Sequence, residues 1–177
     1  MTIVSSSTII AAPPSVVRAT FLDWPNLTTW DKRYMKTLTP LLPDGSSDPS
    51  KTSGLSVVPG DRVHGTFWGG EADLEILENT ESQMSWKGVW HGLVAVRRFR
   101  FEEVDLENEI EGEREGEGEG GKGLGKGRGT RFTQSEEATG FMGGVLVVDG
   151  WLGGNLKRKF AEFNEDLKGV CERDGKK

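Results

Sequence analysis

The stretch that decides the fold is GFMGGVLVVDGWLGGNLKRKFAEFNEDLKGVCE, residues 140–172. Its apolar residues recur at steps of three and four, which places them on one side of an α-helix with 3.6 residues per turn. They are Val145, Val148, Leu152, Leu156, Phe160, Phe163, Leu167 and Val170. Charged residues such as Lys157, Glu165 and Lys168 occupy the opposite side. A helix over 140–172 with one broad apolar stripe needs a sheet to pack on.

The residues before this helix predict that sheet. Residues 2–10 alternate Ser or Thr with Ile or Val, which is typical of a strand. Pro13-Pro14 then opens a short helix, SVVRATFLDW, and a second short helix or turn covers 26–31. The inner face of the first helix is predicted to be Val16, Val17, Phe21 and Trp24. Further strands are predicted at 34–42, 61–68, 71–77, 83–90, 93–104 and 130–138. Their alternation is typical of antiparallel strands with one covered face.

Length and composition bound the class of protein. The chain has 177 residues, which fits a single domain over 1–177, and no run approaches the ~20 apolar residues of a membrane span. The first ten residues lack the basic region of a secretory signal, and the single cysteine, Cys171, fits a reducing compartment. We therefore expect a cytoplasmic protein without stable membrane insertion.

Much of the negative charge lies in one low-complexity segment, residues 105–129. Its eight acids and four bases supply −4 of the formal net charge of −6. The rest of the chain is nearly neutral and has no basic stripe, which argues against nucleic-acid binding. The segment has few apolar residues to bury, so we expect a disordered hairpin loop between the last two strands.

Several short motifs follow one another along the chain. They are Val17, Phe21, Asp23 and Trp24, then Trp30-Asp31, Pro59-Gly60, Met84-x-Trp86-x-Gly88, Phe99-x-Phe101, Gly129-Thr130-Arg131-Phe132 with Glu136 and Gly140, and Phe160, Phe163, Asn164, Leu167, Lys168 and Cys171. In their order and spacing they resemble the SRPBCC superfamily, which holds START lipid-transfer domains, birch-pollen-allergen-like proteins and polyketide cyclase/dehydrases.

This resemblance implies an α+β helix-grip fold. A curved antiparallel sheet would wrap around the long C-terminal helix, with two short helices after the first strand and an internal cavity. Residues 105–129 have no usable counterpart in the family, and Arg97 stands near a place where relatives often carry a histidine. The superfamily has no universal catalytic residue, so the function must be argued from the site.

Strand parity selects the candidate ligand-binding residues. The concave face is expected to carry Leu74, Ile76, Met84, Trp86, Phe99, Phe101, Phe132 and Gln134, with Ala72 beside them. The same parity brings Arg97 and Glu136 to this face, on strands that should be hairpin neighbours. The pair is either a structural ion pair or a group that anchors or polarises a ligand carbonyl or enol.

Other candidates are open to two interpretations. His64 is a possible base if it faces inward, but Val63 and Phe67 compete with it for that face. Tyr34 either donates a hydrogen bond at the cavity mouth or is structural. The glycines around Trp151 and Leu152 either allow close packing or form a compliant gate with Trp151 as its plug. Two histidines and one cysteine lack metal-ligand spacing, so no metal site is expected.

Three functions are compatible with these features. The first is a cofactor-independent cyclase/dehydratase or isomerase acting on a polyketide-like or terpenoid intermediate, with Arg97, Glu136 and His64 as catalytic candidates. The second is a non-catalytic carrier or sensor of a lipid-like ligand. The third is a co-chaperone-like interaction module that uses the outer face of the sheet. In the first two, the partner is a small hydrophobic molecule.

Overall fold

The computed structural model describes residues 2–90, 93–107, 127–139 and 151–174. These residues form three helices, a short 3₁₀ turn and seven strands. These are β1 Thr2–Ile10, α1 Pro14–Leu22, a 3₁₀ turn Trp24–Asn26, α2 Leu27–Trp30, β2 Met35–Leu41, β3 Arg62–Phe67, β4 Gly70–Asn79, β5 Gln83–Trp90, β6 Leu93–Asp105, β7 Arg128–Thr139 and α3 Trp151–Asp174. No helix in these ranges is both long enough and apolar enough to cross a membrane.

The seven strands form one antiparallel sheet in the order β1-β7-β6-β5-β4-β3-β2. Neighbours along the chain pair from β2 to β7, and β1 closes the order by pairing with β7. The predicted helix-grip α+β fold is confirmed: the sheet, the two short helices after β1 and the long C-terminal helix are all present.

Helix α3 packs its apolar stripe against the sheet. Phe160, Phe163 and Leu167 are fully buried, and Cys171 is almost so, as their spacing of three and four residues predicts. The expected first part of the helix, 140–150 with Val145 and Val148, lies outside the described residues. The side chains of Trp151 and Leu152 also lie outside the described part, so the predicted gate is untested.

Helix α1 corrects one predicted core residue. Val17 and Phe21 are buried as expected, but the Val16 side chain is 40% exposed and Leu22 is buried in its place. Val17 and Phe21 are four residues apart and share one side of the helix, whereas Val16 lies about 100° around the axis from Val17. Phe21 therefore reaches into the middle of the sheet.

Backbone pairing between β6 and β7 holds this hairpin together along its full length. Its register runs without a break from Val94↔Thr139 to Asp105↔Arg128, and the Leu106 amide donates to the Gly127 carbonyl beyond it at 3.0 Å. Most of the low-complexity segment, 108–126, lies outside the described residues.

We expect the low-complexity segment to be dispensable for folding. When 108–126 is replaced by a short Gly-Ser linker, the ladder up to Leu106 and Gly127 should hold the strands together. Loop closure entropy changes by only ~0.6 kcal/mol per doubling of length. The melting temperature should therefore stay within about 5 °C of the full chain. A larger loss would show that the segment packs or binds something.

Candidate functional site

A cavity of about 130 Å³ lies on the inner face of the sheet, between β3 and β7. Among the described residues that line it, only the side chains of Tyr34, Arg97 and Glu136 are polar. The apolar and glycine positions are Phe67, Ala72, Leu74, Trp86, Gly88, Val89 and Ala95. Val89 also borders the cavity but has the outer-facing parity of β5, which explains why it is 57% exposed. The three polar groups thus meet in an otherwise apolar pocket.

Small residues on neighbouring strands create this space. Gly88 on β5 pairs with Ala95 on β6 and with Leu74 on β4, and Ala72 occupies the next inner position of β4. A Cβ atom on Gly88 would come within 3.1 Å of the Leu74 side chain. A larger side chain at any of these adjoining positions would enter the cavity.

Arg97 and Glu136 face each other across the β6–β7 ladder, as strand parity predicts. Arg97 is 3% exposed, whereas the Glu136 side chain is 21% exposed. The Arg97 Nε to Glu136 Oε2 distance is 3.8 Å, which is an ion pair but too long for a hydrogen bond. The Nε atom finds no hydrogen-bond acceptor among the described residues.

The rest of the Arg97 guanidinium is held by the protein. Its Nη1 donates to the Tyr34 hydroxyl, and its Nη2 donates to Gln134 Oε1 at 3.2 Å. The centre of the guanidinium lies 4.1 Å from the Phe160 ring centroid and 4.6 Å from that of Tyr34. Such contacts with ring faces favour a desolvated cation.

The Gln134 amide extends this network to α3 and β1. Its Nε2 donates to the Phe160 carbonyl at 2.9 Å and to Asn164 Oδ1 at 2.6 Å. Asn164 Nδ2 in turn donates to the Ser6 hydroxyl at 3.3 Å. Gln134 and Asn164 are both buried. The network therefore links Arg97 to the long helix through side chains without net charge.

Tyr34 is fixed by a turn that the sequence analysis did not assign to the site. The buried Asp31 carboxylate accepts hydrogen bonds from the backbone amides of Arg33, Tyr34 and Met35 at 3.0, 2.9 and 2.6 Å. Burial raises the pKa of the Tyr34 phenol; nearby Arg97 opposes this shift and Glu136 adds to it. Tyr34 thus stays a neutral phenol, whose hydroxyl accepts from Arg97 and keeps its own hydrogen to donate.

Most of the expected ligand-binding residues belong to the packed core instead of the cavity wall. Tyr34, Leu74 and Trp86 line the cavity, together with Arg97 and Glu136. The residues that do not line it are Ile76, Met84, Phe99, Phe101, Phe132 and Gln134, all of them buried. The reason is Phe21 from α1, whose ring centroid lies 4.5 Å from that of Phe99, 5.8 Å from Phe101 and 6.0 Å from Phe132.

His64 faces away from the cavity. It therefore does not have the inward orientation that a base inside the cavity would need. Its side chain is 39% exposed; Nδ1 lies 2.9 Å from Asp73 Oδ1, and Nε2 lies 3.7 Å from Glu71 Oε2. Val63 is fully buried and takes the inner position next to it. The hydrogen bond from His64, with Arg62 nearby, holds the pKa of Asp73 below its usual value. This cluster belongs to the outer face.

Within the described ranges, no three His, Cys, Asp or Glu side chains converge in a way that could hold a metal ion. What the site does bring together is a carboxylate, a phenol and a guanidinium at the edge of an apolar cavity. Chemically, such a set can accept a proton, donate a hydrogen bond and stabilise negative charge.

Solved structures share this fold at low sequence identity. Hypothetical protein jhp0584 from Helicobacter pylori matches with a TM-score of 0.65 at 12% identity, covering 96% of this chain and 88% of that one. DynU16, a protein in the dynemicin biosynthetic locus, matches with a TM-score of 0.58 at 14% identity, covering 96% of this chain and 47% of that one. A START superfamily protein from Mycobacterium smegmatis matches with a TM-score of 0.50 at 13% identity, covering 97% and 95%.

These likenesses confirm the expected resemblance to the SRPBCC superfamily at the level of the fold. No protein-family model matches the chain, and no curated protein matches it. What the chain binds or catalyses therefore has to be argued from the cavity itself.

The raised pKa of Tyr34 predicts a loss of stability in alkali. The unfolded phenol ionises near its ordinary pKa of 10.0, while the folded phenol holds its proton to a higher pH. The unfolded state therefore binds fewer protons above about pH 10, and stability falls as the pH rises. Because Tyr34 is the only tyrosine, the near-ultraviolet absorbance of tyrosinate reports this group alone.

We expect the tyrosinate signal to appear only well above pH 10 or together with unfolding. The Tyr34→Phe variant provides the control, because it should lose the signal and show a shallower fall in stability over the same pH range. A signal with its midpoint at the ordinary pKa in the folded protein would contradict the burial of Tyr34.

Proposed function

We propose that this protein holds a small hydrophobic molecule in the cavity between β3 and β7. One observation carries the proposal: among the described residues, the cavity walls are apolar except at Tyr34, Arg97 and Glu136. Ligand sites commonly combine such a wall with a few convergent polar groups that orient the ligand. The single cysteine further supports the proposal that the protein works in the cytoplasm.

The three polar groups support proton-transfer chemistry on a carbonyl compound. The Glu136 carboxylate accepts a proton from the carbon next to a ligand carbonyl, and the electron pair of that C–H bond moves to the carbonyl oxygen. The Tyr34 hydroxyl donates a hydrogen bond to the resulting enolate, while the positive charge of Arg97 stabilises it. Returning the proton to a different carbon gives an isomerase.

The same enolate also leads to ring closure. If its carbon attacks a second carbonyl of the ligand, a carbon–carbon bond forms while the π pair of that carbonyl moves to its oxygen, which takes the proton held by Glu136. Loss of the new hydroxyl as water, with a proton from the neighbouring carbon, then completes a cyclase/dehydratase reaction. We propose this activity on a polyketide-like or terpenoid intermediate, without a cofactor. The shared fold with DynU16, a protein in the dynemicin biosynthetic locus, supports this choice.

A carrier or sensor of a hydrophobic ligand is the second candidate. The observation that favours it is the engagement of Arg97, whose Nη atoms already donate to Tyr34 and Gln134. An arginine held in this way fixes the shape of the cavity even if no reaction takes place. The two functions differ in whether Glu136 affects turnover.

Filling the cavity should abolish ligand binding without unfolding the protein. Ala95→Leu places added methyl groups in the existing space, so it should weaken the binding of a hydrophobic fluorescent probe about tenfold or more, with little loss of stability. Val96→Leu is the matched control, because Val96 pairs opposite Glu137 on the outer-facing parity of the same strand. Equal probe binding by both variants would refute the cavity as the site.

Glu136→Gln separates the enzyme from the carrier. The side chain keeps its shape and is partly exposed, and Arg97 keeps its bonds to Tyr34 and Gln134, so the variant should lose less than the about 3–5 kcal/mol of a fully buried pair. An enzyme that uses Glu136 as its base should lose about 100-fold or more in turnover on a simple enolisable ketone. A carrier should show no turnover in either form. Unchanged turnover per folded molecule would remove Glu136 as the base.

A further inference from the structure

The polar group that a ligand meets first in this cavity is a carboxylate. Arg97 is almost fully buried, its Nη atoms donate to Tyr34 and Gln134, and the Phe160 and Tyr34 rings lie against it. Its Nε has no hydrogen-bond partner among the described residues, but it is buried and already lies 3.8 Å from the Glu136 carboxylate, so the guanidinium is out of reach of a ligand carboxylate. The Glu136 side chain is about a fifth exposed and has no hydrogen bond from Arg97.

The Arg97–Glu136 ion pair disfavours a charged group of the ligand beside Glu136. Arg97 and Glu136 lie 3.8 Å apart and carry opposite charges, so together they add no net charge to the cavity wall. A ligand carboxylate would add an uncompensated charge next to Glu136, and a ligand ammonium would add one near Arg97. In an apolar pocket either charge loses hydration, and the described lining residues offer it no counter-ion beyond the Arg97–Glu136 pair itself.

The size of the cavity limits what can enter. A volume of about 130 Å³ is close to the ~150 Å³ of an engineered apolar cavity that binds benzene. The space beyond the inner end is closed by the rings around Phe21. One ring therefore fits between Trp86, Leu74 and Tyr34, and any larger part of a ligand must extend out of the cavity.

We infer that the part of the ligand buried here is a single neutral ring carrying a hydroxyl, of the phenol or enol class, whose O–H donates to Glu136. The inference rests on the proposed function, since it assumes that the cavity holds a hydrophobic molecule. It adds the ligand class: hydroxyl-bearing rings bind, and ring carboxylates do not. When Glu136 accepts a proton next to a ring ketone it leaves an enolate, and passing that proton from Glu136 to the enolate oxygen gives a ring enol whose O–H faces the carboxylate.

The test compares three probes of similar shape on the full chain by isothermal titration calorimetry at neutral pH. They are p-xylene, p-cresol and 4-methylbenzoate. A hydrogen bond to a charged group is among the stronger ones, so p-cresol should bind about tenfold tighter than p-xylene. The carboxylate should bind at least about tenfold more weakly than p-xylene.

Two variants assign the preference to Glu136. In Glu136→Gln the advantage of p-cresol over p-xylene should shrink to about threefold or less, while p-xylene binds as before. Glu137→Gln is the matched control, because Glu137 is the next residue on β7, pairs with Arg98 at 3.2 Å and does not line the cavity. It should keep the full preference for p-cresol.

The outcomes are distinguishable. If p-xylene and p-cresol bind equally tightly to the wild-type protein, the ligand class is wrong while the cavity stands. If 4-methylbenzoate binds tightest, Arg97 is the ligand contact and the inference is overturned. If none of the three probes binds, the proposed function fails together with it. The wild-type comparison decides these cases even if Glu136→Gln proves unstable.

Discussion

Arg97 carries a guanidinium that is almost fully removed from water, and its burial would cost several kcal/mol without partners. Those partners come from separate parts of the chain: Tyr34 from the turn before β2, Gln134 from β7, and the Phe160 ring from α3. Placing the guanidinium correctly therefore fixes the distance between the sheet and the long helix. The cavity lies next to this network and takes its shape from it.

The interior divides into a filled part and an open part because of residue size. Where β6 and β7 carry Phe99, Phe101 and Phe132, the Phe21 ring enters among them and little space is left. Where the adjoining inner positions are Gly88 and Ala95, the strands carry too little side chain to fill the same layer. Arg97 stands at the boundary, with Phe99 two residues along one way and Ala95 two residues along the other.

The strands, and the inward orientation of Arg97 and Glu136, could be predicted from the sequence. Residues on β6 and β7 alternate strongly, and the phenylalanines of both strands have the same parity as Arg97 and Glu136. The sequence could not locate the cavity, since the depth reached by Phe21 depends on how α1 packs. His64 was ambiguous because Trp68, just after β3, shares its parity, whereas Val63 and Phe67 have the opposite parity. Asn164 was quoted as part of a motif but not assigned to the site, although a polar residue between Phe163 and Leu167 on a buried stripe indicates a core hydrogen bond.

The arginine at position 97 also constrains the chemistry that we propose. A guanidinium keeps its proton at any physiological pH, so Arg97 can stabilise negative charge but cannot serve as an acid or a base. A histidine there could have exchanged protons itself. In this chain the proton has to be accepted by Glu136, and the hydrogen bond to the developing oxyanion has to come from Tyr34, whose raised pKa keeps it protonated. The buried Arg97 cation thus holds the Tyr34 phenol in place and balances the charge that the Glu136 carboxylate brings into an apolar cavity.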